Sequence, residues 1–141
     1  MKKDNYVISA IRHSLDGDCL LYAGRNHGAM GHYGFAVECF VKVLYKQITG
    51  NEGRTISHDM EQIYQELSAY YRYICFEDAK TDLMLKVQNL PRKLVNGHPQ
   101  RRYWNDITYT EEELQETREL VERMRKELVG QVLDGRISIN D

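Results

Sequence analysis

The chain has 141 residues, of which 42% are apolar and 28% charged, and these values are typical of one compact domain. Its 19 Lys and Arg residues against 21 Asp and Glu residues leave a formal net charge of −2. The protein therefore has no global positive field that would hold nucleic acid or an anionic membrane surface. A site for RNA or phosphate must be a local patch.

No stretch of the sequence is predicted to cross a membrane. The longest apolar run, residues 34–44, contains Glu38 and Lys42 and falls well short of the roughly 20 residues that a bilayer requires. Residues 1–5 are not followed by the apolar stretch of a signal peptide. We therefore expect a cytoplasmic protein. Its three widely spaced cysteines are predicted to be reduced and buried: Cys19, Cys39 and Cys75.

The first 50 residues show helical periodicity twice. A first helix is predicted from Asp4 to Gly24, and a second from His27 to Ile48. The second helix is apolar around most of its circumference, which is typical of a helix in the middle of a bundle. The first has a single apolar stripe, which consists of Val7, Ile11, Leu15, Cys19 and Tyr22.

Three further helices are predicted in the rest of the chain. The third runs from Ser57 to Ile74 with His58 and Asp59 at its capped start, and the fourth runs from Phe76 to Leu90. Pro91 ends or bends the fourth helix, and residues 96–99 are predicted as a turn.

The last helix has the clearest start signal. Thr110 and Glu113 have the spacing of a capping box, and the helix is predicted from Glu111 to Val129 with Gly130 as its end. Its inner face is predicted to consist of Leu114, Val121, Met124 and Leu128. The whole pattern predicts an all-α fold, an antiparallel bundle of four or five helices over residues 1–130, with a C-terminal tail at 131–141.

Several chemistries lack their usual motifs. None of the five histidines follows a Glu at a distance of three residues, as a di-metal carboxylate bundle requires. The sequence also has no Cys-x-x-Cys, His-Glu-x-x-His, phosphate-binding loop or Gly-x-Ser-x-Gly motif. We therefore expect no metal and no cofactor.

Residues 24–32 combine a cation, an amide and two imidazoles. On a helix, Arg25 and His32 would lie on one face with about 10 Å between their Cα atoms. Arg25 could then hold a phosphate, aided by Asn26, while His32 takes a proton from a ribose 2′-hydroxyl. Alternatively, Arg25 caps the C-terminal carbonyls of the first helix, and His32 is a packed or surface residue. If the second helix begins nearer Gly31, a loop and not a helix determines how Arg25 and His32 are placed relative to each other.

Two other groups of polar residues stand out. Glu38 and Lys42 are four residues apart in the most apolar helix, which predicts a buried or interface ion pair. A basic and aromatic cluster has the composition of an RNA- or phosphate-binding segment; the alternative is that its rings cover the bundle end while the arginines face solvent. This cluster consists of Arg101, Arg102, Tyr103 and Trp104. The 10 tyrosines favour protein interfaces and hence a homodimer.

Residues 20–45 resemble the second-helix signature of HEPN-domain proteins, with Gly-Phe-Ala-Val-Glu-Cys at Gly34 to Cys39 followed by Lys42. The His-Asp-Met at residues 58–60 and the Arg-Tyr at residues 102–103 continue the resemblance in the same order. It implies a helical bundle, usually dimeric, often encoded beside a nucleotidyltransferase or within toxin–antitoxin and phage-defence systems. Many HEPN proteins are metal-independent ribonucleases with an Arg, four to six residues, and a His.

Two functional classes follow from these patterns. The first is a metal-independent endoribonuclease with Arg25 and His32 as catalytic residues, although the motif lies in a later helix in catalytic HEPN proteins. The second is a non-catalytic module that binds RNA, a nucleotidyltransferase or an antitoxin protein. In the second class Glu38, Lys42 and Arg102 would maintain the bundle. The partner would then contact Arg101, Tyr103 and Trp104.

Overall fold

The computed structural model of the chain describes residues 4–50, 58–60, 62–63, 65–66, 90–105 and 107–140. All regular structure within these ranges is helical, which confirms the predicted all-α bundle. The four α-helices that are bounded there are α1 (Tyr6–Tyr22), α2 (Asn26–Thr49), α3 (Arg92–Gly97) and α4 (Glu111–Leu133), and a 3₁₀ turn covers Gln100–Tyr103. None of the described helices is both long and apolar enough to cross a bilayer.

Helices α1 and α2 form an antiparallel hairpin. Asn5 caps α1 by accepting a hydrogen bond from the Ile8 backbone N–H at 2.9 Å. Gly24 has a φ of +77°, a conformation that glycine adopts without strain, and it turns the chain into α2. Gly50, also at +77°, ends α2. The hairpin therefore agrees closely with the two helices that periodicity predicts.

The buried face of α1 differs from the predicted stripe. Leu15, Cys19 and Tyr22 are exposed, and Tyr22 is 97% exposed. Small residues are buried in their place, and Gly17 leaves room for the Tyr33 ring, which a Cβ at Gly17 would meet at 2.5 Å. Because α2 packs closely on the side of α1 that carries these small residues, that side is covered. The large apolar residues on the neighbouring side remain exposed to solvent. The prediction that Cys19 is buried is wrong, whereas Cys39 is buried and Cys75 lies outside the described residues.

Helix α2 lies at the centre of the bundle, as its apolar circumference predicts. Between Ala29 and Leu44 nearly every side chain is buried. Helix α4 packs on both members of the hairpin, and its predicted inner face is buried. Its antiparallel register with α1 places Arg125 beside Asp18, with Nη1 and Oδ2 2.9 Å apart.

The capping box that begins α4 is present in both directions, between Thr110 and Glu113. The predicted end at Gly130 is wrong, because the helix continues to Leu133 and the left-handed residue is Gly135, with a φ of +75°. The predicted domain boundary at residue 130 thus falls inside this helix. Ile137 in the segment that follows is buried.

The segment after Pro91 is more ordered than predicted. Pro91 begins a short helix, α3, and Gly97 belongs to that helix although residues 96–99 are predicted as a turn. Leu94 and Val95 are buried and hold α3 in place. The predicted fourth helix, apart from Leu90, and most of the third lie outside the described residues. Asp59 caps the described start of the third by accepting from the Gln62 N–H at 3.1 Å.

Candidate functional site

A cleft of about 850 Å³ lies between the start of α2 and the segment that joins the 3₁₀ turn to α4. It is lined by Arg25, Asn26 and His32 from one side and by Arg102 and Trp104 from the other. No Asp or Glu is among the described residues that line it, although the chain has 21 acidic residues in all. Because the protein as a whole is not basic, a phosphate site must be a local basic patch, and the described lining of this cleft has that character.

His32 has a partner that sequence reasoning missed. The antiparallel hairpin places His13 of α1 opposite His32 of α2, with their Nδ1 atoms 3.0 Å apart and their ring centroids 5.2 Å apart. Both rings line the cleft. Burial, the His32 ring and nearby Arg12 lower the pKa of His13 below its ordinary value of 6.5. Only the hairpin register could have indicated His13, since no motif includes it.

The Nδ1–Nδ1 contact restricts the protonation of the pair. A hydrogen bond between two ring nitrogens needs one donor and one acceptor, so one of the two Nδ1 atoms carries a proton and the other does not. When both rings are neutral, one Nε2 is then bare and the other carries a proton. Neither Nε2 of His13 or His32 has a hydrogen-bond partner among the described residues. The pair thus offers one proton acceptor and one proton donor.

Arg25 reaches the cleft by a different geometry from the predicted one. It is the N-cap of α2, with φ −93° and ψ 69°, and is not part of the helix. Arg25 and His32 therefore do not lie on one helical face as predicted, yet both residues line the same cleft. Among the described residues, no carbonyl of α1 accepts a hydrogen bond from the Arg25 side chain, so the alternative of a side-chain cap is not observed.

The two adjacent arginines of the predicted RNA-binding segment have different environments. Arg101 is 2% exposed, and its guanidinium donates to the backbone carbonyls of Met30, Lys93 and Leu94. Because its guanidinium is buried and bonded to these carbonyls, Arg101 is not available to bind a phosphate. Arg102 is exposed, and its Cζ lies 5.7 Å from the centroid of Phe35 and 4.9 Å from that of Tyr103. Arg102 is the available cation.

His27 anchors the far side of the cleft, a role that the sequence did not indicate. Its Nε2 lies 2.9 Å from the Arg101 carbonyl oxygen, and its Nδ1 lies 2.9 Å from the Tyr109 hydroxyl. Because a carbonyl can only accept, Nε2 carries the proton. His27 therefore links α2 to the 3₁₀ turn and to the residues that precede α4. Beyond this anchor, Tyr103 and Trp104 are exposed, and only Trp104 of the two lines the cleft.

Glu38 and Lys42 form a buried ion pair, with Oε2 and Nζ 3.0 Å apart and both side chains 5% exposed. The other carboxylate oxygen of Glu38 lies 2.8 Å from Nε2 of His98 and 2.9 Å from Nδ1 of His58. Burial alone would raise the pKa of Glu38, but the hydrogen bonds from His98, Lys42 and His58 lower it to about 2.

This cluster lies next to the cleft. The His98 ring packs edge-on against Phe35 with centroids 4.5 Å apart. Phe35 also contacts two residues of the cleft: the His13 ring centroid lies 5.5 Å from its own, and the Arg102 Cζ lies 5.7 Å from it. Gly34 lets His98 approach, since a Cβ there would come within 2.6 Å of its Nδ1. The lack of a side chain at Gly34 thus makes room for the His98 ring beside α2.

No cluster of three or more His, Cys, Asp or Glu side chains that could hold a metal ion occurs in the part of the chain that the structure describes. Comparison with protein-family models, with curated proteins and with solved structures found no match for this chain.

Proposed function

We propose that the cleft binds RNA and that the protein is a HEPN-like, metal-independent endoribonuclease. One observation carries the proposal: the hydrogen-bonded pair His13–His32 lines a cleft that also contains Arg25 and Arg102 and, among its described residues, no carboxylate. Paired imidazoles supply acid–base chemistry near neutral pH, and the arginines supply charge for a phosphodiester.

The pair can move a proton without any net change in its own charge. The bare Nε2 of one ring removes the 2′-hydroxyl proton while O2′ attacks the phosphorus. That ring passes its Nδ1 proton to the Nδ1 of the second ring, whose Nε2 proton goes to the leaving O5′. The P–O2′ bond forms and the P–O5′ bond breaks, which leaves a 2′,3′-cyclic phosphate and a 5′-hydroxyl. The pair ends as the opposite tautomer.

Arg25, Asn26 and Arg102 would bind the substrate. A guanidinium donates two parallel hydrogen bonds to phosphate oxygens and stabilises the extra negative charge that develops during attack. Asn26 adds an amide donor at the start of α2, where the helix dipole also favours an anion.

The test is cleavage of mixed RNA by the purified protein in EDTA. We expect products ending in 2′,3′-cyclic phosphate, and a loss of about 10²–10⁴-fold in rate for His13→Ala and for His32→Ala. Arg25→Ala should also lose activity. Arg123→Ala is the control, because this exposed α4 arginine does not line the cleft. Activity that survives both histidine changes, or no activity from folded wild type, would reject the proposal.

The second candidate is a non-catalytic module that binds a nucleotidyltransferase or an antitoxin protein, or that forms a homodimer. The observation in its favour is the exposed apolar face of α1, where Ile8, Leu15 and Tyr22 recur every seven residues. Co-purification with such a partner and failure to cleave RNA would favour it.

Both candidates suit a cytoplasmic protein of a toxin–antitoxin or phage-defence system, and the free thiols of Cys19 and Cys39 are compatible with that compartment.

A further inference from the structure

Trp104 differs from the other rings of the cleft in having no ring partner among the residues that the structure describes. Within the described residues, Trp104 contacts no other ring and no cation, and it is 45% exposed. Each of the other rings that line the cleft packs against a second ring: His13 with His32, His27 with Tyr109, and Phe35 with His13 and His98. The indole therefore has a face available for a ligand.

The backbone at Trp104 is held firmly. Its N–H donates to the Arg101 carbonyl at 3.0 Å, and the same carbonyl accepts from Nε2 of His27 at 2.9 Å. The Arg101 side chain in turn donates to three backbone carbonyls in the interior. An aromatic ring on so well anchored a segment loses little conformational freedom when a ligand packs on it.

The charges around this ring identify the ligand. Arg25 and Arg102 line the same cleft as Trp104, and no described lining residue is acidic. A ligand that combines a flat aromatic group with a phosphate satisfies both features, and nucleotides have both. In a duplex the faces of each base are already covered by its neighbours, so only an unpaired nucleotide can present one to an indole.

We propose that the cleft selects single-stranded RNA, with one unpaired base stacked on Trp104 while Arg25 and Arg102 hold the adjacent phosphate. This inference rests on the proposed function only in assigning the cleft to RNA. It does not require that the bound strand be cleaved.

Binding can be measured separately from cleavage. A short 2′-O-methyl oligonucleotide lacks the attacking hydroxyl and cannot be cut by the proposed reaction. Trp104 is the only tryptophan of the chain, so its fluorescence reports directly on the cleft. We expect the single strand to quench this fluorescence at saturation, whereas the same strand in a duplex should not. An abasic strand of equal length should bind about tenfold more weakly than the strand that carries bases.

Variants separate the base from the phosphate. In anisotropy titrations with a labelled strand, Trp104→Ala should weaken binding of the base-bearing strand about tenfold and leave the abasic strand unchanged. Trp104→Phe should restore part of the affinity because it keeps a ring. Arg102→Gln should weaken both strands by the same factor. Tyr22→Ala removes an exposed aromatic residue outside the cleft and should change neither.

The outcomes distinguish this inference from the ribonuclease proposal. Equal affinity for single strand and duplex, equal affinity of wild type and Trp104→Ala, or no binding of any strand would overturn the inference. If wild type and Trp104→Ala cleave RNA at the same rate, the inference about Trp104 is overturned while the ribonuclease proposal stands. Selective, Trp104-dependent binding of the single strand without cleavage of ordinary RNA would support it and would reject the ribonuclease.

Discussion

The Nδ1 atoms of His13 and His32 lie 3.0 Å apart across the α1–α2 hairpin, so the contact between the two rings depends on a single proton. If both rings became imidazolium ions, both Nδ1 atoms would be donors and the hydrogen bond would be lost. The same geometry therefore links the proposed chemistry of the cleft to the stability of the hairpin.

The first prediction concerns pH. Since the pKa of His13 lies below its ordinary value of 6.5 in the folded protein, the unfolded chain binds more protons just below pH 6.5. The stability that neutral His13 contributes is present above pH 6.5 and is lost as pH falls toward the lowered pKa. We expect His13→Asn to flatten this dependence. Urea unfolding from about pH 7.5 to about pH 5 measures it, and an unchanged slope would contradict the prediction.

The second prediction concerns the buried Glu38 and Lys42. Glu38→Gln would leave the Lys42 ammonium unpaired in the interior and should lower the free energy of unfolding by about 3–5 kcal/mol. Adding Lys42→Met should restore part of the loss. Glu122→Gln is the surface control, because Lys126 beside it is 73% exposed, and it should cost no more than about 1 kcal/mol. A double variant as unstable as Glu38→Gln alone would show that the cost has another origin.

The same carboxylate predicts an acid transition. The pKa of Glu38 is lowered from 4.5 to about 2, so its contribution is fully present above pH 4.5 and is lost as pH falls toward 2. Thermal unfolding across this range should show a steeper loss in wild type than in the double variant Glu38→Gln with Lys42→Met. Parallel curves for the two proteins would argue against a depressed pKa.

The third prediction compares two glycines on α2. A Cβ at Gly34 would lie 2.6 Å from the His98 ring, which its hydrogen bond to Glu38 holds in place. We therefore expect Gly34→Ala to destabilise the protein by about 1–3 kcal/mol. Gly31→Ala meets nothing within 4 Å and should stabilise the helix by about 0.5–1 kcal/mol. Melting temperatures that move in the same direction for both variants would refute this account.

The fourth prediction separates Arg101 from Arg102. Arg101→Gln removes a buried donor from three backbone carbonyls and should lower the free energy of unfolding by about 3 kcal/mol. Arg102→Gln changes an exposed side chain and should stay within about 0.5 kcal/mol of wild type, while still weakening RNA binding. Chemical denaturation of the two variants under one set of conditions tests this directly. Equal stability losses would show that the two arginines are equivalent.

Local patterns predict much of the fold. The start of α4 follows from Thr110 and Glu113, which satisfy each other's backbone within one turn, so no distant residue is needed. The central place of α2 follows from its apolar circumference, which no exposed helix could tolerate. By contrast, the apolar stripe of α1 fails at Leu15 and Tyr22, since close packing at Gly17 determines which side of that helix is covered.

Most of the polar residues of the candidate site are also indicated by the sequence. Arg25, Asn26, His32, Arg102 and Trp104 are all indicated by composition or spacing, and all line one cleft. The sequence by itself thus determined an all-helical chain and a short set of polar residues near the first turn and before α4. Periodicity and capping are properties of neighbouring residues, so these features can be derived without coordinates.

Only the tertiary structure decided which of those residues face one another. His13 meets His32 because α1 and α2 are antiparallel, and His27 meets the Arg101 carbonyl across 74 residues of sequence. Neighbouring Arg101 and Arg102 look alike in the sequence, yet one is buried among carbonyls and the other is exposed beside Phe35. Helix periodicity specifies a face of a helix but not the segment that packs on it. The packing of distant segments pairs the imidazoles, buries one arginine and places the half-exposed Trp104 ring in the cleft.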